Sequence, residues 1–141
     1  MRFDKLTAKL QQALSEAQSL AVGRDHTTIE PAHLLLALLQ QSDGSTRPLL
    51  SQSGGNIAAL ERKLNELLEG VAVIKNPTGE VQVGQELGKV LNLADKLAQK
   101  KQDQFIASEM VILAMLEAGG AIAKALQQSG VDKNRLNAAI Q

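Results

Sequence analysis

The sequence predicts an all-α fold of about eight helices, built as two pseudo-twofold four-helix repeats packed into one compact domain. Three observations carry that prediction. Apolar residues recur at spacings of three and four, which keeps them on one face of a helix with 3.6 residues per turn. Only two aromatic residues, Phe3 and Phe105, occur in 141 positions, so Leu, Ala, Val and Ile must build the core. Leucine and alanine favour helix, and the residues that favour sheet are scarce. The second half also repeats the first: moved back by 77 positions, Ala94 falls on Ala17, Leu97 on Leu20, Ala98 on Ala21 and Ile106 on Ile29. After one residue of slippage LQQSG at 126–130 falls on LSQSG at 50–54, and Leu136 on Leu60.

The first helix is drawn by Leu6, Leu10, Ala13, Leu14, Ala17, Leu20 and Ala21, and Gly23 stops it. Glu30 reads as a cap and Pro31 as the first residue of a short apolar helix, AHLLLALLQ, because proline's missing N–H is an orphan there anyway. A loop follows at Ser42–Ser45. Pro48 falls in the first turn of another short helix ending at Ser53-Gly54-Gly55, and Asn56 caps a longer one through Leu60, Leu64, Leu67 and Leu68. Residues 70–84, GVAVIKNPTGEVQVG, lose the helical period and contain an Asn-Pro turn signal, which makes them a connector. It separates repeat one, about 3–69, from repeat two, 85–141, whose first helix buries Leu87, Val90, Leu91, Ala94 and Ala98. A unit of four helices that cannot bury its faces alone packs against its twin.

Composition narrows the function classes. Fifteen basic and fifteen acidic residues cancel, so no net field draws in nucleic acid or anionic lipid. Two aromatics are too few for a base-stacking platform. The absence of cysteine removes disulfides and thiolate metal sites; with no secretory h-region, a cytoplasmic address is expected. His26 and His33 stand seven apart across a loop and lack the i, i+4 geometry of a helical two-histidine metal site, so they read as surface or half-buried side chains. The glycine pairs at 54–55 and 119–120 have neither a preceding strand nor a Gly-Lys-Ser/Thr ending, and read as helix stops rather than phosphate cradles. No nucleophile motif accompanies the Ser, His and Asp residues. The chain therefore reads as a recognition module with no catalytic, cofactor or metal site of its own.

The repeat offers a way to find the recognition surface. Leu93 falls off the buried stripe, about 120° from Leu87 on a helical wheel, and its repeat mate is Glu16. Met110 corresponds to His33. Two positions that are polar in the first half are apolar in the second, and both flank Leu97. Either they pack against the connector or the partner half, or they form an exposed apolar groove for unfolded polypeptide. Partly burying three such side chains supplies roughly 3 to 6 kcal/mol before association costs, so binding would be weak and reversible.

With the duplicated unit, IEPAHLLLALL in the first half and VLNLADKLAQKKQDQFIASEMVILAML in the second, the chain resembles the Clp amino-terminal domain over essentially its whole length. DKLAQ and FIASE point to the disaggregase branch, the ClpB type, more than to the ClpA and ClpC relatives, whose equivalent domains dock adaptors. The resemblance implies a substrate-capturing domain tethered to ATPase modules of a homohexamer. Those modules use ATP and magnesium and work with the DnaK chaperone system on unfolded or aggregated polypeptides. It also implies site residues: Leu93, Leu97 and Met110 for the groove, and Thr7, Asp103 and Glu109 for a polar set beside it. Met110 stands where the family has leucine, a flexible apolar replacement. From the residues alone, Thr7 is equally an ordinary solvated side chain, and Asp103 and Glu109 equally loop and helix-start chemistry. Their repeat mates are Gly84, His26 and Ala32.

Overall fold

The computed structural model describes residues 1–74 and 80–140. Residues 75–79 of the expected connector, with its Asn-Pro signal, lie outside the described residues, as does 141 at the end of repeat two. Among the described residues there are eight α-helices: α1 (Ala8–Gly23), α2 (Pro31–Gln40), α3 (Thr46–Gln52), α4 (Ile57–Glu69), α5 (Gln85–Lys100), α6 (Ser108–Ala118), α7 (Gly120–Gln128) and α8 (Lys133–Ile140). None is long and apolar enough to cross a membrane.

Local chemistry sets the starts. The Thr7 hydroxyl accepts the Leu10 N–H at 3.3 Å and the Asn56 side chain accepts the Ala59 N–H at 3.0 Å, each satisfying an orphan donor of a first turn. Pro31 opens α2 as expected. The apolar, all-round sequences of α2 and α6 make them the central pair, with 31–39 and 110–116 buried throughout. The amphipathic α1 lies against α2, and α5 against α6.

The duplication survives in three dimensions. α1 and α5 both have 16 residues, in the same register 77 positions apart. Each is followed by a non-glycine residue in the left-handed region, Asp25 (φ 59°) and Gln102 (φ 62°), again 77 apart. Such a residue reverses the chain after a helix and sends it back toward the core.

Two reciprocal links join the halves. In the first, β1 (Thr28–Ile29) and β2 (Gln82–Val83) pair in parallel with Ile29 opposite Val83, and Leu6 forms a parallel bridge with Ile106. Under the 77-residue shift these are one pairing seen from either side: the segment opening each repeat hooks onto the loop after the first helix of the other. Gln82 and Val83, expected within an irregular connector, are thus a short strand. In the second, the Asn56 N–H donates to the Ser129 carbonyl at 2.8 Å, and the Asp132 N–H to the Ser53 carbonyl at 2.9 Å. Between these bonds the backbones of Gly54 (φ 96°) and Gly130 (φ 106°) touch.

One buried carboxylate anchors the start of the chain. Asp95 accepts Arg2 Nη2 at 2.7 Å, Arg2 Nε at 2.9 Å, the Arg2 backbone N–H at 3.1 Å and Gln99 Nε2 at 3.0 Å. The Arg2 hydrogen bond holds its carboxyl at about 2, against an ordinary 3.8. A depressed folded value means that the stabilisation is complete above about pH 4 and fades as pH falls toward 2. Asp95→Asn is expected to lower stability at pH 7 by about 1 to 2 kcal/mol, a figure reduced because Arg2 is partly solvated. Urea unfolding at pH 7 measures it, and an unchanged midpoint would show the cluster to be neutral.

Candidate functional site

The site expected from the sequence lies where α5 turns into α6. Asp103, Glu109 and Met110 come together in one shallow depression, with Lys101 and Ile140 completing its lining. The loop holds this shape through backbone bonds: Asp103 N–H donates to the Ala98 carbonyl at 2.9 Å, and Ile106 N–H to the Lys5 carbonyl at 2.7 Å. Asp103 is exposed; Glu109, half-buried, sits in the first turn of α6, where a carboxylate complements the helix dipole.

Leu93 and Leu97 do not line the depression but lead into it. At i, i+4 and i+8, Leu93 and Leu97 of α5 and its C-cap Lys101 share one face, spaced about 6 Å apart along the axis. Both leucines are half-buried, resting on the core and part open to water. Thr7 is brought to this side by its N–H, which donates to the Ile106 carbonyl at 3.1 Å, but its hydroxyl is spent on capping α1 and it lines no part of the depression.

Met110, which the sequence leaves open between a packed and an exposed position, is packed. It is only 2% exposed, because α6 packs along α5 and each residue from Met110 to Leu116 is covered. Its place is the floor of the depression rather than its rim. Sequence reasoning missed Lys101 and Ile140; Lys101 carried a signal, one turn beyond Leu97 on the same face.

The two histidines correct an expectation. Read as surface or half-buried, His26 and His33 are 3% and 0% exposed and touch each other, Nδ1 of His26 lying 2.9 Å from Nε2 of His33. The turn at Asp25 folds His26 inward, and the His26 N–H donates to the Ala21 carbonyl at 2.9 Å. Protonation states follow from geometry. His33 Nδ1 accepts the Glu30 backbone N–H at 2.8 Å, so its proton resides on Nε2 and is donated to His26 Nδ1. Both rings are therefore neutral. Burial is the largest cause lowering each, and His33 falls to about 4. No group of three or more His, Asp or Glu with metal-holding geometry occurs among the described residues.

At the equivalent place in the first half, the histidine pair occupies the position of the depression. Shifting Lys101, Asp103, Glu109, Met110 and Ile140 into the first repeat gives Arg24, His26, Ala32, His33 and Leu64. There the two imidazoles fill the space, Leu64 is fully buried, and Arg24 donates to Asn65 of α4 at 2.7 Å across the top.

Comparison with known proteins places this geometry. Residues 5–129 match the family model of the Clp repeat (R) N-terminal domain. The chaperone protein ClpB of Pseudomonas putida is 52% identical over 140 residues, 99% of this chain, and that of Vibrio cholerae 43% over 141 residues, 100% of it. The chain spans 16% of the length of these relatives. Among solved structures, the Hsp104 N-terminal domain from Candida albicans superposes with a TM-score of 0.82 at 21% identity, covering 96% of this chain and 88% of that one. The N-domain of ClpV from Vibrio cholerae gives 0.81 at 20% identity, covering 97% and 83%. At such identities the structures speak for the fold, which is the same. Matched by the family model over most of its length and identical at half its positions to part of a ClpB chaperone, the chain belongs to the Clp repeat (R) N-terminal domain family.

Proposed function

We propose that this domain captures exposed apolar segments of unfolded or aggregated proteins for an ATP-dependent disaggregase of the ClpB type. One observation carries the reading: at a single repeat position the first half is closed by buried histidines, whereas the second opens into a depression approached by Leu93 and Leu97. Apolar side chains rest against the leucine row, and Lys101, Asp103 and Glu109 meet the backbone and polar groups of an extended chain. Thr7 orders the edge by capping α1. In this reading the domain is not itself an enzyme. ATP and magnesium are bound by modules outside these residues, in a cytoplasmic homohexamer that works with the DnaK system. A structural neighbour, a ClpV N-domain in complex with a VipB peptide, supports peptide binding as a use of the fold.

Leu93→Glu tests the site. The position is half-buried at the core's edge, so the variant folds, and its affinity for an unfolded model protein is expected to fall about tenfold as apolar contact is lost and a charge is introduced. Backbone amide shifts on titration should move at Leu93, Leu97, Asp103 and Glu109. Unchanged affinity in a folded variant would remove the groove from the reading. A second reading is docking of a folded adaptor, as in ClpA- or ClpC-type unfoldases. Saturable binding of a native adaptor, with none of unfolded protein, would select it.

A further inference from the structure

A separate cavity of about 160 Å³ lies between the start of α2, the end of α4, the start of α5 and the α6–α7 turn, and shares no residue with the depression described above. Its walls are apolar, formed chiefly by Leu67, Val71, Val90 and Ile122. An apolar cavity of about 150 Å³ takes a benzene ring, so this one is sized for a single leucine or phenylalanine side chain.

The charged groups at the cavity are of one sign: Glu30 and Glu86 line it, and no Lys, Arg or His does. Glu30 is fixed. Its Oε2 accepts the Thr28 hydroxyl at 2.9 Å, and it abuts the backbone of Gly84, where a Cβ would strike the carboxylate. It has no ion-pair partner among the described residues, while Glu86 meets only the well-solvated Lys89 at 3.7 Å. A third element supplies direction. α7 starts after Gly119 without a side-chain cap, so its first N–H groups lack intrahelical acceptors beside Gly119, Ala121 and Ile122 of the wall.

We propose that this cavity is a second polypeptide-binding site, selective for an extended segment in which one leucine or phenylalanine is flanked by arginine or lysine. The apolar side chain enters the cavity, the flanking cations face Glu30 and Glu86, and a main-chain carbonyl of the segment accepts from the start of α7. A free carboxylate would suit the helix start alone, but the two glutamates oppose it, which sets a basic segment above an acidic one.

The test uses the labelled 141-residue chain and an end-capped decapeptide carrying Arg-Leu-Arg in a Gly/Ser background. Binding is expected to move the amides of Val71, Gly119, Ala121 and Ile122 and to leave Asp103 and Glu109 in place. Leu→Ser in the peptide should abolish binding, and exchanging its arginines for glutamates should weaken it at least tenfold. Glu86→Lys, at an exposed position, should weaken it about fivefold at low salt, with the difference shrinking as salt is added. Leu93→Glu should change nothing, so this site and the groove stand or fall separately. The proposal is overturned by shifts confined to the depression, by equal or tighter binding of the glutamate peptide, or by no binding at millimolar peptide.

Discussion

Gly130→Ala is expected to destabilise the domain by about 3 kcal/mol or more, lowering the melting temperature by roughly 10 °C. Two effects add. At φ 106° the backbone lies in a region that L side chains rarely adopt, and a Cβ there would sit 2.5 Å from the Gly54 carbonyl oxygen. That oxygen belongs to backbone and cannot swing aside, so relief requires the halves to separate along the Asn56–Ser129 and Asp132–Ser53 hydrogen bonds. Gly54→Ala faces the mirrored clash, 2.7 Å from the Gly130 carbonyl, and should behave alike. Gly88 provides the contrast. It lies inside α5 with an ordinary φ and no heavy atom within 4 Å of its Cβ, so Gly88→Ala should stabilise by about 0.5 to 1 kcal/mol. Thermal unfolding of the three variants settles it; a Gly130→Ala domain as stable as the parent would mean that the axis contact bears little of the fold.

Acid should weaken the domain through its histidine pair, by about 2 kcal/mol between pH 7 and pH 5. His33 stands at about 4 in the folded chain against 6.5 for an ordinary histidine, and His26 is lowered as well. A folded value below the unfolded one means full stability above about pH 6.5 and progressive loss as pH falls toward 4, because the unfolded chain takes up protons that the folded one refuses. Geometry gives the refusal its cause: protonated His33 would turn an N–H against the Glu30 N–H, and protonated His26 would do the same against His33. The chain has no other histidines, so the slope in this window is largely theirs. Urea unfolding at the two pH values reads the loss, and ring ¹⁵N shifts read the protonation. A His33 midpoint near 6.5 in the folded protein would contradict the pairing.

The helices were legible because each rests on local chemistry. Caps at Asn56 and Glu30, proline at 31 and the three-four spacing of Leu and Ala all act within one or two turns. The repeat was legible because register leaves its mark on identity, as Ile29 and Ile106 show, and those two residues turn out to occupy equivalent places in the reciprocal pairing. The pairing itself was not. Two-residue strands carry no alternation to read, and their partners are distant in the chain. The histidines escaped for a related reason: seven residues across a loop gives no geometry until the turn at Asp25 is known. At the candidate site, the resemblance sets Met110 with Leu93 and Leu97, and Asp103 and Glu109 with Thr7; the fold instead gathers Asp103, Glu109 and Met110 in one depression, and Met110's burial depends on how closely α6 lies on α5, which periodicity does not report.

The reciprocal hooks also set a timetable for synthesis. Leu6 leaves the ribosome a hundred residues ahead of its partner Ile106, a delay on the order of 5 to 20 s at ordinary elongation rates. Val83, which Ile29 awaits, is also made after the first repeat is complete. The first four helices therefore leave the ribosome with both fastenings unmade and part of their apolar surface uncovered. The links can close only as the second repeat supplies their missing halves, Val83 first, then Ile106 and last Ser129 and Asp132. Until then the nascent domain displays the kind of surface that a chaperone binds.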